Sequence, residues 1–374
     1  CLGLLQLPAG RRKITVNRRP ALRLIVVICL ASMLLGAVGC QSSSRPAPGG
    51  TEGTPAVEKP IELRFTTVVT TLHPNYRAWS QVAEEVNKRT NGKVKITLYP
   101  SGTLNAPNET FNAVKSGLAD IGGAPVGYSA TIMPLNKLVG DAMLGVPSAS
   151  EAAKIWSEAF ASVPELQQEF EGVHLLWMAA TTPLCLGTRD KKIGKLEDLR
   201  GLTLRFPPGL EPLAKKWGAN PVNMPIADIY EALQKGTVQG FYGGAEMLQS
   251  MRLAELTKYA VGNLNMVYGL SWIGMNNKTW ESLPPDVQQV FNDIRDWAQE
   301  VTVAAFDQSE REAREFAAAQ GCEIVELDSA EVQRIHEVSP PVFRQIAETL
   351  EGQGKPAKKV LEALDQLLAK HGYK

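Results

Sequence analysis

From Ile61 onward the apolar positions switch repeatedly between a period of two and a period near 3.6, the alternation of strand and helix that marks an α/β chain. Ile61-Glu-Leu-Arg-Phe65 alternates and predicts a strand. Tyr76, Trp79, Val82, Ala83 and Val86 then share one helical face, with Asn91-Gly92 as the stop. Val94, Ile96 and Leu98 predict the next strand. A helix near Asn108–Ser116 follows, then a short strand Leu118–Ile121 that runs into Gly122-Gly123. Ala152–Phe160 has helical spacing, and His174–Thr182 is apolar enough to be a strand buried on both faces.

A second α/β unit begins near Cys185. Leu202, Leu204 and Phe206 alternate with Thr203 and Arg205 until Pro207-Pro208-Gly209 breaks the strand. Pro225 suits the first turn of a helix carrying Ile226, Ile229, Tyr230 and Leu233, capped by Gly236. Thr237–Tyr242 reads as a strand that ends in Gly243-Gly244. From Pro285 to about Ala319 the helical period runs without a breaker. That predicts one helix of roughly 35 residues and about 50 Å, long enough to reach across both units. A strand at Glu323–Leu327 and two further helices close the chain, and no internal repeat is present.

The first sixty residues read differently. Residues 24–38 form an apolar run after Arg11, Arg12, Lys13, Arg18, Arg19 and Arg23, too short to span a bilayer comfortably. Basic region, apolar region and small residues make a secretory signal. Gly36-Ala-Val-Gly39 directly before Cys40 resembles a bacterial lipobox, in which the cysteine is lipidated and becomes the anchor. Ala37 stands where leucine is usual, and an ordinary signal peptide with Cys40 near its cut is the alternative. The chain opens on Cys1, and a start near Val16 would give a more usual signal. Gln41–Lys59 is rich in Ser, Pro, Gly and Thr and reads as a flexible tether, so the expected layout is leader 1–40, tether 41–60 and folded part from 61.

Charge and composition narrow the function. Lys and Arg number 39 against 39 Asp and Glu, but the first forty residues hold six of the basic groups and no acid, leaving 33 against 39, a net of −6. That balance excludes a nucleic-acid binder held by phosphate neutralisation. The folded part keeps only Cys185 and Cys322, either a bridge in an oxidising compartment or two small core residues. GxGxxG, Walker, CxxC, HExxH and GxSxG spacings are all missing, and the four histidines are far apart. No catalytic residue, metal or cofactor is indicated.

The informative stretch is Leu196-Glu-Asp-Leu-Arg-Gly-Leu-Thr-Leu-Arg205-Phe-Pro, then Leu213-Ala-Lys-Lys-Trp-Gly-Ala-Asn-Pro-Val-Asn-Met-Pro225, then Asp228-Ile-Tyr-Glu-Ala-Leu-Gln-Lys-Gly-Thr-Val-Gln-Gly240. It closely resembles the substrate-binding subunits of tripartite ATP-independent periplasmic (TRAP) transporters. His73-Pro74, Arg89-Thr-Asn-Gly92, Tyr99-Pro-Ser-Gly-Thr-Leu104 and Gly117-Leu-Ala-Asp120 extend the likeness over essentially all of 61–374. Arg205 falls near the carboxyl end of a strand, opposite Leu204 and Phe206, where open α/β sheets bind ligands. Its planar fork matches a carboxylate with two parallel hydrogen bonds. An arginine paired with a structural acid is the alternative from the residues alone. The resemblance makes Arg205 the principal carboxylate-binding residue.

Two departures from the family pattern bear on the ligand. A second arginine common in relatives falls on Cys185. The asparagine of a "DGqEN" segment falls on Gly243, with Gln239 in place of the aspartate. A pocket of one arginine with Cys185, Phe241 and Tyr242, beside the further candidates Phe206 and Gly243, has less fixed polar grip. The expected ligand is therefore a monocarboxylate with an apolar or aromatic body, rather than a C4-dicarboxylate or a sialic acid. Phe241 reads as core, while Tyr242 is open between core and cleft. Thr70, Thr71 and His73 on the first βα turn, Tyr128 after a later strand, and Trp272 are further candidates; His73 also suits a helix cap.

The resemblance implies a two-domain periplasmic-binding-protein-like α/β fold with a ligand cleft between domains and a long bridging helix. Residues 61–184 and 271–310 would form domain I, and 185–270 and 311–374 domain II, with hinges near 183–186 and 270–274. Together with the lipobox likeness at Cys40 it implies an extracytoplasmic, lipid-anchored protein that delivers a small organic acid to a permease of small and large subunits. A homodimer through the C-terminal helices is left open. A receptor that presents its ligand to a sensor kinase is the alternative, and an extracellular enzyme in the same cleft a more distant one.

Overall fold

The computed structural model describes residues 59–373. The leader, lipidation at Cys40 and the tether up to residue 58 lie outside the described residues. The first element is β1 (Ile61–Thr67), whose Leu63 and Phe65 point into the core. The helix α1 (Pro74–Arg89) starts on Pro74, and the His73 Nδ1 accepts the Asn75 N–H at 3.2 Å as its cap. Lys88 and Arg89 occupy its last turn, and Asn91 and Gly92 end it with positive φ. β2 (Val94–Tyr99) then pairs in parallel with β1.

After α2 (Thr110–Ser116) comes β3 (Ile121–Pro125), which corrects the expected strand Leu118–Ile121. Leu118 is 51% exposed, and Gly122 and Gly123 lie inside the strand rather than past its end. They stand where helices approach from both faces. A Cβ at Gly122 would overlap Val114 of α2, and one at Gly123 would come within 2.9 Å of the Trp79 ring of α1. α3 (Pro134–Asp141), α4 (Ala149–Ser162) and α5 (Pro164–Gln168) lead into β4 (Val173–Thr188). This 16-residue strand is longer than the run His174–Thr182 suggests, and it continues from one half of the molecule into the other.

The second half holds β5 (Thr203–Arg205), α6 (Glu211–Lys216), β6 (Asn220–Val222), α7 (Ile229–Lys235), β7 (Gly240–Gly244), α8 (Met247–Ser250) and β8 (Tyr259–Val261). Here too the expected Gly243-Gly244 stop is part of the strand. β9 (Tyr268–Asn276) returns to the first half, and α9 (Asn277–Ser282) follows it. The strand order is β2-β1-β3-β9-β4-β7-β5-β6. β4 pairs with β9 through Val173–Ala180 and with β7 through Leu184–Thr188, with a register shift between Ala180 and Pro183 at the crossing.

The predicted single helix Pro285–Ala319 is two: α10 (Pro285–Asp293) and α11 (Arg295–Ala319), separated at Ile294. Ile294 is fully buried, and Arg295 next to it donates to the carbonyls of Leu175 and Leu176 at 2.9 and 2.8 Å. Those carbonyls lie at a bulge in β4 between Leu175 and Trp177, so the break at Ile294 coincides with a side chain that bonds the irregular stretch of the strand. At about 1.5 Å per residue α11 is roughly 37 Å long. It packs on α1, α4 and β4 and also on α8 and on β10 (Glu323–Val325), touching both halves of the sheet.

Three helices rather than two close the chain: α12 (Ser329–Val338), α13 (Pro340–Gly352) and α14 (Ala357–Lys370). Pro340 separates the first two, because it starts a helix but cannot continue one. α13 and α14 lie against α3, and α14 also against α4. Cys185 and Cys322 are both buried and unbridged. Among the described residues no helix is long and apolar enough to cross a membrane.

Candidate functional site

Arg205 is the last residue of β5, and strand alternation sends its side chain away from Leu204 and Phe206, which enter the main apolar core. It is flanked by Val222 on β6 and Phe241 on β7. The residue is only 4% exposed. One guanidinium nitrogen donates to the Tyr242 carbonyl at 3.3 Å, and Nε has no partner. Among the described residues no carboxylate pairs with it. Burial pulls its pKa down to about 10, opposed only by the Tyr128 phenol, so it remains charged at neutral pH. A desolvated cation with one neutral hydrogen bond is costly unless a further partner arrives.

Tyr128 belongs to the half-turn Val126–Ser129 that leaves β3, in the other half of the sheet. Burial pushes its phenol up and the Arg205 charge draws it back. The structure therefore brings Arg205 and Tyr128 within electrostatic reach at strand ends from both halves.

The other candidates are distributed around it. Cys185 and Gly243 are register partners on β4 and β7. Cys185 is 2% exposed among Phe241, Val238 and Ile229, and burial pushes its thiol up, so it is a packed thiol and no nucleophile. At Gly243 a Cβ would overlap the Met247 methyl, so a thioether fills the space a longer side chain would need. The Phe206 ring lies 5.1 Å from the Tyr242 ring and 5.9 Å from that of Trp217. Tyr242 is fully buried in this cluster and its hydroxyl donates to the Met266 carbonyl at 3.1 Å. The side chains of Phe206 and Tyr242 thus serve the core, and Tyr242 reaches Arg205 through its carbonyl. Trp272 is fully buried, 5.5 Å edge-on to Phe111.

His73 caps α1 and stands edge-on to Phe306 of α11 at 5.7 Å. Burial holds its imidazole down to about 4, with Arg77 adding to the effect, so it is neutral at physiological pH. Thr70 and Thr71 are exposed on the turn before it. Sequence reasoning missed Asn75, Ser129, Thr182 and Ser271, each buried with side-chain polar atoms that have no protein partner. The only legible signal was at Asn75, a polar residue on the apolar stripe of α1 with Ala78, Trp79 and Val82.

At a strand end of this two-lobed α/β fold lies a buried arginine with no acidic partner among the described residues, within electrostatic reach of a tyrosine from the other half. The profile described as bacterial extracellular solute-binding protein, family 7, matches residues 65–350, and the chain belongs to that family, the substrate-binding subunits of TRAP transporters. It is 26% identical over 325 residues to the C4-dicarboxylate-binding periplasmic protein DctP of Rhodobacter capsulatus, covering 83% of this chain and 93% of that protein. A TRAP periplasmic solute-binding protein from Desulfovibrio salexigens DSM2638 superposes with a TM-score of 0.75 at 29% identity, covering 84% of this chain and 98% of the other. A TRAP solute-binding protein from Rhodoferax ferrireducens T118, in complex with copurified benzoate, gives 0.76 at 22% identity over 83% and 98%. The family consists of periplasmic receptors of transporters, not enzymes.

Proposed function

We propose that this receptor captures a monocarboxylate with an apolar or aromatic body and holds its carboxylate on Arg205. The observation that carries the reading is the buried Arg205 guanidinium with a free Nε and no acidic partner among the described residues. Relatives differ in ligand: one is named for C4-dicarboxylates and another carries benzoate. Two features of this chain favour the second kind. Cys185 supplies no second cation, and Met247 fills the space beside Gly243. A dicarboxylate would bury one carboxylate without a counter-charge, a costly arrangement.

In this reading 61–184 with 271–310 and 185–270 with 311–374 are the two domains, hinged near 183–186 and 270–274, with α13 and α14 reaching back onto α3 and α4 of the first. The register shift of β4 between Ala180 and Pro183 supports a flexible crossing there. Ligand favours closure only by binding the closed form better than the open one. Tyr128 contributes from the opposite lobe, with His73 and Thr71 at the rim. In this reading the bound acid is passed unchanged to the permease. Cys40 would carry the lipid that keeps the protein at the membrane. Cys40→Ser should move it from the membrane to the soluble fraction; unchanged membrane association would rule out this anchor.

A thermal-shift panel of aliphatic, aromatic and dicarboxylic acids tests the ligand class. A ligand at 100 times its dissociation constant adds roughly 2.7 kcal/mol, which raises the melting temperature. Higher melting temperatures should come from apolar or aromatic monocarboxylates and vanish in Arg205→Ala. An equal rise in Arg205→Ala would make Arg205 structural.

A further inference from the structure

Beyond Arg205, the exit of β3 holds a second set of buried polar atoms. Asn75 Nδ2 and Oδ1, Trp79 Nε1 and Ser271 Oγ all lack a hydrogen-bond partner, and the three residues are 0% exposed. Native proteins leave few buried polar atoms unpaired, so four at one place point to a guest. Their common location follows from the packing. Trp79 lies against Gly123, which pairs with Ile273. Two residues on, Pro125 pairs with Ser271, which strand alternation places on the same face as Ile273. Asn75 is one turn N-terminal to Trp79 on the buried face of α1. The helix runs back along the parallel strands, which carries Asn75 toward the same strand end as Ser271. Tyr128, the residue under the influence of Arg205, is three residues beyond Pro125.

The chemistry of this cluster is uncharged. The first-turn N–H groups are already taken: Asn75 N–H goes to His73 Nδ1, and Tyr76 and Arg77 N–H go to the His73 carbonyl. The helix end is therefore closed to an anion. His73 is neutral, and Arg77, which acts on it, is exposed. What remains is an amide oxygen that can only accept, an indole N–H that can only donate, and an amide NH2 and a hydroxyl. A hydroxyl guest satisfies both kinds, donating to Asn75 Oδ1 and accepting from Trp79 or Ser271. A carbonyl guest would leave the amide oxygen bare, and a second carboxylate would find no cation.

We propose that Asn75, Trp79 and Ser271 form a second, uncharged subsite that takes a hydroxyl group carried on the body of the acid. The ligand class is then a hydroxylated apolar or aromatic monocarboxylate. This rests on the reading of Arg205 as the carboxylate holder and adds a demand on the other end of the ligand.

The test is calorimetric titration of the protein with matched pairs: benzoate against its meta- and para-hydroxy derivatives, and phenylacetate against its own. At least one hydroxylated acid should bind about tenfold or more tightly than its parent, the size expected for a hydrogen bond made in a buried site. Ser271→Ala and Asn75→Leu should bring that ratio close to one while shifting parent affinity by less than about threefold. If Asn75→Leu does not fold, Ser271→Ala decides alone, since it removes a single oxygen. A ratio of one for every pair in the native protein, a ratio that survives in both variants, or an equal loss for parent and derivative would each overturn the subsite and leave Arg205 standing. Failure of every acid to bind the native protein would overturn the proposed aromatic monocarboxylate ligand, and with it the subsite.

Discussion

Arg205 concentrates the conflict between stability and binding in one side chain. Held at 4% exposure with one hydrogen bond and no acid, it costs the unliganded protein more than an apolar residue of similar length would. Arg205→Met should therefore raise the stability of the unliganded protein, on the order of 1 kcal/mol or more, while abolishing acid binding. Denaturant titration with and without ligand reads both; a variant less stable than the parent would show that the arginine is part of the scaffold. Arg205 was legible in the sequence because it combines a strand end, alternation away from Leu204 and Phe206, and a recognisable motif. Tyr242 was not, because whether a residue beside two glycines faces core or cleft depends on the Trp217 and Phe206 rings that meet it. Ser271 was not either, since a missing partner is a property of three-dimensional packing, and Asn75 showed only as a polar residue on the apolar stripe of α1.

At the level of elements, periodicity located seven of the ten strands and the longer helices, missed β6, β8, β9 and the helices α3, α5, α6, α8 and α9, and misplaced ends at glycine pairs. Gly122-Gly123 and Gly243-Gly244 read as stops, yet each pair lies within a strand because something packs too closely for a side chain. At Gly122 the close neighbour is Val114 of α2. Gly122→Val should destabilise the fold by about 1–3 kcal/mol through overpacking, measured by chemical unfolding. An unchanged midpoint would mean that α2 is free to move away. The break at Ile294 was invisible for a different reason. No residue between Pro285 and Ala319 forbids a helix, and the interruption coincides with a bulge in a strand more than a hundred residues earlier.

For the whole molecule, the contact between α8 and α11 carries a pH dependence. Glu246 follows β7, is 6% exposed, and has an unpartnered Oε2. Burial pushes its pKa up to about 7, a backbone hydrogen bond opposes this, and Glu310 on α11 adds to the rise. Arg314 on α11 pairs with Glu310, and the buried Cys185 thiol on β4 is the other titratable neighbour. A raised carboxyl pKa means that the folded state holds the proton more tightly than the unfolded one. The stabilisation is full below about pH 4.5 and is lost as pH rises through 7. Its size is on the order of a few kcal/mol, since each factor of ten in proton affinity is worth roughly 1.4 kcal/mol. His73, held down to about 4, acts in the opposite sense, its contribution fading as pH falls from 6.5. Comparing the parent with Glu246→Gln isolates the first effect. The parent should lose stability relative to the variant between about pH 4.5 and 7 and then level off, and parallel pH profiles would contradict it.

The claim on which the rest depends is that one buried arginine, and no second cation, sets the ligand class. Calorimetric titration of the native protein and Arg205→Ala with benzoate and phenylacetate, alongside succinate and malate, tests it most directly. The monocarboxylates should bind at least about tenfold more tightly than the dicarboxylates. Arg205→Ala should weaken them about a hundredfold or more, the cost of removing one member of a buried charge-paired contact. Tighter binding of succinate or malate, or monocarboxylate binding unchanged in Arg205→Ala, would contradict the claim.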